Sequence, residues 1–238
     1  MNLWTERTEM LLGQDAAARL AAARVAVVGV GGVGAAAAEM LARAGVGHLL
    51  LIDSDVVSVT NINRQLIALS STVGQSKCQV LKSRLEDINP DIDVKVLDSF
   101  LSEENVSDLI PASSTDWVVD AIDTLSPKVA LAQYCLSNSL PLVSSMGSGG
   151  KLDATQVRIA DIGKTYECPL ARMMRKRLRK LGIEKGYLAV FSPEIPDKEG
   201  MVIEETRNKK SQVGTISYMP AVFGCVCAQA VIRSIVGK

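Results

Sequence analysis

Short apolar runs rich in valine, isoleucine and leucine alternate with helical patterns between about residues 20 and 146. The predicted strands are Arg24–Val28, His48–Ile52, Ile92–Leu97, Trp117–Ala121 and Leu142–Ser145. The predicted helices between them are Val33–Ala44, Gln75–Ile88, Ser102–Ile110 and Pro127–Ser137. Because a helix separates each strand from the next, the pattern predicts an α/β, Rossmann-like fold, with a mostly parallel sheet and helices on both faces.

The alternation changes after residue 146. Thr155–Ala160 alternates like a half-exposed antiparallel strand, Pro169–Leu181 is a strongly basic helix, and Pro193–Ser211 is polar without a clear period, which is typical of a mobile loop. Tyr218–Val236 is the last predicted helix. We therefore expect one domain over residues 1–238, with a core of about residues 20–146 and a C-terminal part, containing an antiparallel extension, of about residues 147–238.

Charge and cysteine usage narrow the class of protein. The 26 lysines and arginines balance the 26 aspartates and glutamates, which argues against a general nucleic-acid coat protein but allows a local basic patch. Five scattered cysteines without a C-x-x-C pair favour a reducing, cytoplasmic location and make a structural zinc site unexpected. Pro220, Gln229 and Arg233 interrupt the longest apolar stretch, so we expect a buried helix and no stable membrane insertion.

A glycine-rich turn, Gly29-x-Gly31-Gly32-x-Gly34, connects the first predicted strand to its helix. In such a turn the first glycine permits a tight bend, the second lets a ligand approach the backbone, and the third lets helix and strand pack closely. The free N–H groups at the helix N-terminus attract an anion. Asp53 ends the next strand, where it can accept hydrogen bonds from a ribose. The turn therefore predicts nucleotide binding; a purely structural glycine turn is the alternative.

The residues after Asp53 decide which nucleotide is expected. Arg64 and Lys77 favour a triphosphate over a nicotinamide ring, and the single histidine, His48, is expected to be structural. Asp120 and Asp123 end a strand at the edge where α/β sheets bind ligands, which suits a magnesium ligand. The alternatives are that Arg64 pairs with a surface acid, Lys77 is solvated and Asp120 caps the following helix.

Together "GVGGVG", "LIDSD", "TNINRQ", "VGQSK" and "VDAIDT" resemble the ubiquitin-activating-enzyme-like adenylyltransferases over Trp4 to Gly237. The resemblance implies ATP and Mg²⁺ as cofactors, with Asp53 on the ribose, Asp123 on the metal, and Arg64 and Lys77 on the phosphates. It also implies a homodimer in which Arg7 reaches the partner's phosphates. The catalytic residues would be Arg64, Lys77, Asp123 and Arg7. The nucleotide-binding residues would be Gly29, Gly31, Gly32, Gly34, Asp53, Asp55, Asn61, Asn63, Arg64, Gln65, Lys77, Asp123 and Thr124. A monovalent cation is left open.

Longer segments, including "DINPDIDVKVLDSF", "VVDAIDTLSPKVALAQYC" and "GSGGKLDATQVRIADIGKT", are similar to the tRNA threonylcarbamoyladenosine dehydratase branch of that superfamily. This implies ATP-dependent cyclisation of the modified adenosine beside the anticodon, through adenylation of its threonine carboxylate. The alternative function is activation of a small ubiquitin-like sulfur-carrier protein. The missing C-x-x-C pairs and Thr124, where carrier-protein activators usually have asparagine, argue against it. A sulfur-relay partner is only weakly indicated, because "LAVFSPE" lacks a cysteine found in some relatives. A nonenzymatic nucleotide-binding regulator is a third hypothesis.

The basic helix is the best candidate for holding tRNA, with Lys151 and Arg158 as further candidates. Its cations are Arg172, Arg175, Lys176, Arg177, Arg179 and Lys180. The alternative is a solvated helix face, which is common for such charge runs. No aromatic stacking platform accompanies these cations, so sequence-specific reading of single strands is not indicated.

Overall fold

The computed structural model describes residues 3–196, 201–202 and 212–238. The strands are β1 (Arg24–Val28), β2 (His48–Ile52), β3 (Asp93–Leu97), β4 (Trp117–Asp120), β5 (Leu142–Ser145), β6 (Arg158–Asp161), β7 (Leu188–Phe191), β8 (Met201–Val202) and β9 (Gln212–Val213). The α-helices are α1 (Glu6–Leu12), α2 (Gln14–Ala22), α3 (Gly32–Arg43), α4 (Lys77–Ile88), α5 (Val106–Leu109), α6 (Leu125–Ser137), α7 (Pro169–Arg179) and α8 (Tyr218–Val236).

Seven strands form one sheet in the order β3-β2-β1-β4-β5-β7-β6. All neighbours are parallel except β6, which runs antiparallel to β7 at the edge of the sheet. The predicted α/β fold with an antiparallel C-terminal extension is therefore confirmed. The direction of chain progression across the sheet reverses between β1 and β4, and such reversal points are where open α/β sheets bind ligands.

Both faces of the sheet are buried, which explains the continuous apolar strands. Val25 and Val27 of β1 pack on the side of α3, α4 and α8, whereas Ala26 and Val28 pack on the side of α6 and α7. Because successive side chains of a strand point to opposite faces, a strand covered on both faces needs apolar residues at every position.

Two predicted elements differ in the structure, and one strand was not predicted. β7 was not predicted, because a four-residue apolar run has no period of its own. The predicted strand Thr155–Ala160 starts only at Arg158, since the Asp153 carboxylate accepts the Thr155 N–H at 2.9 Å and closes a 3₁₀ turn. The predicted helix Ser102–Ile110 shrinks to α5, because the Asn105 side chain accepts the Ser102 N–H at 2.8 Å and turns the chain there.

The segment Pro193–Ser211, predicted to be a mobile loop, is described only in part. Residues 201–202 form β8 and pair with β9, so this stretch is a strand and not loop. Residues 197–200 and 203–211 of the predicted loop lie outside the described residues.

Helix α8 is the one helix of the described residues that is long and apolar enough to cross a membrane by length and composition alone. Half of that stretch is buried inside the protein, where it packs against α3. The two backbones come so close that a Cβ on Gly224 would lie 2.4 Å from the Val33 carbonyl oxygen. The helix therefore has the burial of a core helix, as expected.

Helix α3 also carries a buried acid that ties it to α4. The Glu39 carboxylate accepts hydrogen bonds from Arg84 Nε at 2.6 Å and from Arg43 Nε at 2.9 Å. Burial by itself raises the pKa of Glu39, but the bonds from Arg84 and Arg43 more than offset this and hold that pKa below its usual value.

Candidate active site

The glycines of the turn between β1 and α3 differ in how closely other atoms pack against them. A Cβ on Gly29, whose φ is +84°, would lie 2.8 Å from the Ala121 carbonyl oxygen, and a Cβ on Gly34 would lie 1.8 Å from the Gly29 oxygen. Gly29 and Gly34 thus permit close backbone packing. A Cβ on Gly31 would instead make only an ordinary van der Waals contact, with Gln65 Nε2 at 3.5 Å, so no close backbone packing requires a glycine there. Gly32 packs against Pro220 of α8.

Asp53 lies at the carboxyl end of β2 and is bonded to the glycine turn. Its carboxylate accepts the Val30 N–H at 2.7 Å and the Asp55 N–H at 2.9 Å. Burial raises the pKa of Asp53, against the opposing effects of the Lys77 ammonium and the two N–H bonds. Each carboxylate oxygen can accept more than one hydrogen bond, so both remain able to accept from a sugar hydroxyl.

Lys77 begins α4 and is not the solvated helix residue of the alternative interpretation. Its side chain is 7% exposed, and Nζ lies 2.7 Å from Asp55 Oδ2. Asp55 itself is 66% exposed at the side chain. The Lys77 ammonium is therefore buried next to Asp53 and paired with an exposed acid. This arrangement allows a nucleotide phosphate to replace Asp55 as its partner.

The segment after Ser58 is a compact turn held by its own side chains. Asn61 is buried, and its Oδ1 accepts the Ser58 N–H at 3.1 Å, so this amide has a structural function. Asn63 Nδ2 donates to the Thr215 carbonyl at 2.9 Å, which ties the turn to the residues before α8. Asn61 is therefore inaccessible to a ligand, whereas Asn63 is exposed but has one amide N–H occupied by Thr215.

Arg64 and Gln65 are the two residues of this turn that keep free bonding capacity. Arg64 NH1 donates to the Thr60 carbonyl at 2.8 Å and to Asn63 Oδ1 at 2.9 Å, and within the described residues it forms no ion pair. Its other N–H groups are available to a phosphate. Gln65 is buried, and its Oε1 has no hydrogen-bond partner among the described residues.

Asp120, which ends β4, forms a fully buried ion pair with Lys128 of α6. Lys128 Nζ lies 2.9 Å from Asp120 Oδ2, and both side chains are 0% exposed. Asp120 also accepts from Ser144 Oγ at 2.6 Å and from the Ile122 N–H at 3.0 Å. Lys128 donates to the Ile122 carbonyl at 2.9 Å. Asp120 is therefore neither a metal ligand nor a helix cap, and the sequence analysis missed Lys128.

This ion pair supports the loop that carries Asp123 and Thr124. Asp123 is exposed between β4 and α6. It directly follows Ile122, whose N–H donates to Asp120 and whose carbonyl accepts from Lys128. Among the described residues, no three His, Cys, Asp or Glu side chains form a metal-binding group. Mg²⁺ is often held by one or two carboxylates together with substrate phosphates, so a single exposed carboxylate beside the glycine turn fits this ion.

The structure does not bring Arg7 to the other site residues of the same chain. Helix α1 lies beside Gly45, Gly47 and His48, at the amino edge of the parallel strands, whereas Asp53 and Asp123 lie at the carboxyl edge. Helix α1 buries none of its residues, and Leu3, Met10 and Leu11 around it are strongly exposed. His48 pairs with Asp93 at 3.4 Å at the same amino edge, which agrees with a structural function.

The basic helix α7 buries one face and exposes most of its cations. Ala171, Met174 and Leu178 are buried, at the spacing of one helix face. The exposed cations are Arg172, Lys176, Arg177, Arg179 and Lys180. Arg175 is half-buried and donates to the Thr165 hydroxyl.

Two of these exposed cations border a groove. Another candidate for tRNA binding, Lys151, is buried. Arg177 and Lys180 border a groove of about 260 Å³ against α6. Lys151 is buried and donates to the Ser192 carbonyl at 3.0 Å, so its ammonium is occupied inside the protein. Burial lowers the pKa of Lys151.

The ThiF family model matches residues 5–238 of the chain, which is almost its whole length. The chain belongs to the ThiF family. The tRNA threonylcarbamoyladenosine dehydratase of Bacillus subtilis (strain 168) is 41% identical to it over 237 residues, covering 96% of this chain and 93% of that protein. The E. coli enzyme TcdA in complex with ATP has a TM-score of 0.89 and 38% identity, covering 98% of this chain and 93% of TcdA. TcdA in complex with AMP has a TM-score of 0.88.

These likenesses confirm the resemblance to the dehydratase branch of the superfamily. The matches extend over the C-terminal part as well as the nucleotide-binding core of this ThiF-family chain. The roles of individual residues stay predictions, and the geometry above gives the positions on which they rest.

Proposed function

We propose that the protein catalyses the ATP-dependent dehydration of threonylcarbamoyladenosine in tRNA, which closes the threonylcarbamoyl group into a ring. The near full-length similarity to TcdA, solved with ATP and with AMP, is the observation that carries this function. The glycine turn, Asp53, Arg64 and Lys77 support it, because they lie near one sheet edge with the acceptors and donors that a ribose and phosphates would need.

The chemistry requires activation because a carboxylate has a poor leaving group. A threonine carboxylate oxygen attacks the α-phosphorus of ATP, the bond to the β-phosphate oxygen breaks, and pyrophosphate leaves. A nitrogen of the substrate then attacks the acyl carbon, loses its proton, and expels AMP. The substrate has then lost one water, with ATP converted to AMP and pyrophosphate. No enzyme nucleophile is required.

The chain's own side chains would bind and neutralise the reacting groups. Asp53 holds the ribose, while Arg64 and Lys77 donate to the phosphates and offset the charge that develops there. Lys77 exchanges the exposed Asp55 carboxylate for phosphate. Asp123 would hold Mg²⁺ beside the α-phosphate, where the ion supplies Lewis-acid stabilisation of phosphate charge.

A homodimer completes this proposal. The exposed apolar residues around α1 give a surface that a second copy can cover, and Arg7 on that helix lies away from the site of its own chain. In a two-fold dimer the same helix of each subunit would reach the other. Arg7 then contributes to the partner's phosphates.

The C-terminal part supplies the tRNA contacts. The exposed cations of α7 would contact tRNA phosphates. Arg175 would contribute less to this binding, because its guanidinium already donates to the Thr165 hydroxyl inside the protein. All five cysteines are free, which supports a reducing, cytoplasmic location. The contacts of the described residues add no support for a monovalent cation or a sulfur-relay partner.

Nucleoside mass analysis tests the function directly. The protein is incubated with ATP, Mg²⁺ and tRNA that contains threonylcarbamoyladenosine, with omission of ATP as the control. We expect that nucleoside to lose the mass of one water and AMP to form in equal amount. ATP-dependent adenylation of a ubiquitin-like carrier protein, without any change in the tRNA nucleoside, would favour the carrier-protein alternative instead.

A further inference from the structure

Tyr166 and Arg158 form an aromatic and cationic pair outside the nucleotide site. The Arg158 guanidinium carbon lies 6.0 Å from the centroid of the Tyr166 ring. The ring also meets the buried Phe191 ring edge-on, with centroids 5.5 Å apart and planes at 78°. Tyr166 nevertheless stays 43% exposed, and Arg158 is exposed. Phe191 thus fixes an aromatic ring that solvent can still reach.

The pair lies on the same edge of the sheet as the nucleotide site. Arg158 is the register partner of Phe191, the last residue of β7, and the carboxyl ends of β4, β5 and β7 share one edge. Strand β6 is three strands from β4, which at about 4.8 Å per strand gives a separation of about 14 Å. That equals about four stacked nucleotides at 3.4 Å each, and fewer if the strand is unstacked.

A loop of small residues lies between the two places. The loop after β5 contains Gly147, Ser148, Gly149 and Gly150, so it presents small side chains between Asp123 and Tyr166. A Cβ on Gly147 would meet nothing closer than Leu170 at 4.0 Å, whereas Gly149 and Gly150 pack against Val213 and Pro196, so Gly147 is the part of this loop that a ligand can approach.

The charge around the ring favours a polyanion. Between residues 164 and 172 the chain carries Lys164 and Arg172 against one acid, Glu167, and Arg158 adds a further cation. The nearby acid Asp161 already accepts the N–H groups of Gly163 and Gly186, each at 2.8 Å.

We propose that Tyr166 and Arg158 form a stacking platform for an unpaired nucleotide of the anticodon loop, a few positions from the modified adenosine. The inference rests on the proposed function, which puts that adenosine beside Asp123. Exposed aromatic rings and arginine planes are the groups on which proteins stack unpaired RNA bases. The sequence analysis expected no such platform, because Arg158 and Tyr166 lie outside the basic helix and meet only in the fold.

Steady-state kinetics with an RNA hairpin test the platform. The hairpin carries the anticodon stem and loop with threonylcarbamoyladenosine. Tyr166→Leu keeps an apolar contact to Phe191 but removes the aromatic face, so we expect KM for the hairpin to rise about tenfold. The KM for ATP and kcat at saturating hairpin should change by less than about twofold. Tyr166→Phe is the matched control and should resemble the parent, whereas Arg158→Lys, which keeps charge but not the plane, should raise KM.

Photochemical crosslinking gives an independent readout. Hairpins with 5-iodouridine at single loop positions are irradiated with the parent protein and digested for mass analysis. A crosslink to Tyr166 from a position flanking the modified adenosine is expected. An unchanged hairpin KM in Tyr166→Leu overturns the platform while leaving the proposed function intact. A Tyr166→Leu variant whose oligomeric state changes while its hairpin KM does not has the same meaning. A parent protein that forms no cyclic product overturns both.

Discussion

Breaking the buried pair between Asp120 and Lys128 should destabilise the protein strongly. Lys128→Met removes the ammonium but keeps a side chain of similar length. The Asp120 carboxylate then stays fully buried with only the Ser144 hydroxyl and the Ile122 N–H as donors. The Ile122 carbonyl also loses its donor, which was 2.9 Å away.

The size of the effect follows from the burial of both partners. Both side chains are 0% exposed, and removing one member of a buried, hydrogen-bonded ion pair costs about 3–5 kcal/mol. For a chain of this length that corresponds to a fall in Tm of roughly 10 °C. The matched control is Lys82→Met, because Lys82 pairs with Glu86 at 3.6 Å on the surface with 36% and 47% of the side chains exposed. Such pairs contribute about 0.5 kcal/mol or less.

Urea denaturation of a double-mutant cycle measures the coupling. Lys128→Met, Asp120→Asn and the double variant are compared with the parent by their free energies of unfolding. Each single variant should lose several kcal/mol, and the double variant should lose much less than the sum, because neither leaves the other's charge unpaired. Additivity within about 0.5 kcal/mol would refute the reasoning, since residues without coupling add to that precision.

Further predictions concern the site and the helices. Asp123→Asn should lower single-turnover AMP formation roughly 100- to 1000-fold while changing ATP affinity far less, because it removes charge at the phosphates and little volume; a rate within a few-fold of the parent would show that Asp123 is structural. Mixing Arg7→Ala protein with Asp123→Asn protein should restore part of the activity, as measured after verified subunit exchange, if Arg7 acts on the partner's site. Changing Arg172 and Arg179 to alanine should weaken tRNA binding and reduce its salt dependence by about one counterion per lost phosphate contact; an unchanged salt slope would indicate a solvated face. Glu39→Gln should reduce the free energy of unfolding at neutral pH. The pKa of Glu39 in the folded protein lies below the ordinary 4.5, so the carboxylate's contribution to stability is complete above about pH 4.5 and is lost as the pH falls through the folded pKa. The difference in free energy of unfolding between Glu39→Gln and the parent should therefore vanish in urea titrations at acid pH.

The sheet and the glycine turn could be predicted because their causes leave a mark in the local sequence. The strands covered on both faces appear as unbroken apolar runs, and the positions of Gly29 and Gly34 follow from backbone contacts that no side chain tolerates. The turn and Asp53 were also predictable together, since a strand-ending acid opposite such a turn meets its free N–H groups, as the Val30 bond shows.

Other features depend on contacts between distant segments, which a sequence pattern cannot display. Lys128 looks like a surface residue in a helix, yet the register of β4 and β5 puts Asp120 and Ser144 side by side, and Lys128 closes the cluster. β7 likewise gains its identity only from pairing with β5 and β6. Tyr166 becomes notable only once the antiparallel strand brings Arg158 beside Phe191.

The site contains two lysine–aspartate pairs whose different burial suits different tasks. In the first, Lys77 is buried but Asp55 is 66% exposed at the side chain, so water can solvate the acid when the pair separates, whereas the buried ammonium needs another anion in its place. In the proposed ATP complex a phosphate would be that anion. In the second, neither Asp120 nor Lys128 reaches water, and separating them would leave two buried charges. That pair is fixed, and it holds Ile122 so that Asp123 is presented from a rigid loop. The proposed function therefore assigns the exchangeable pair to ligand binding, and the fixed pair to positioning the carboxylate proposed to hold the metal.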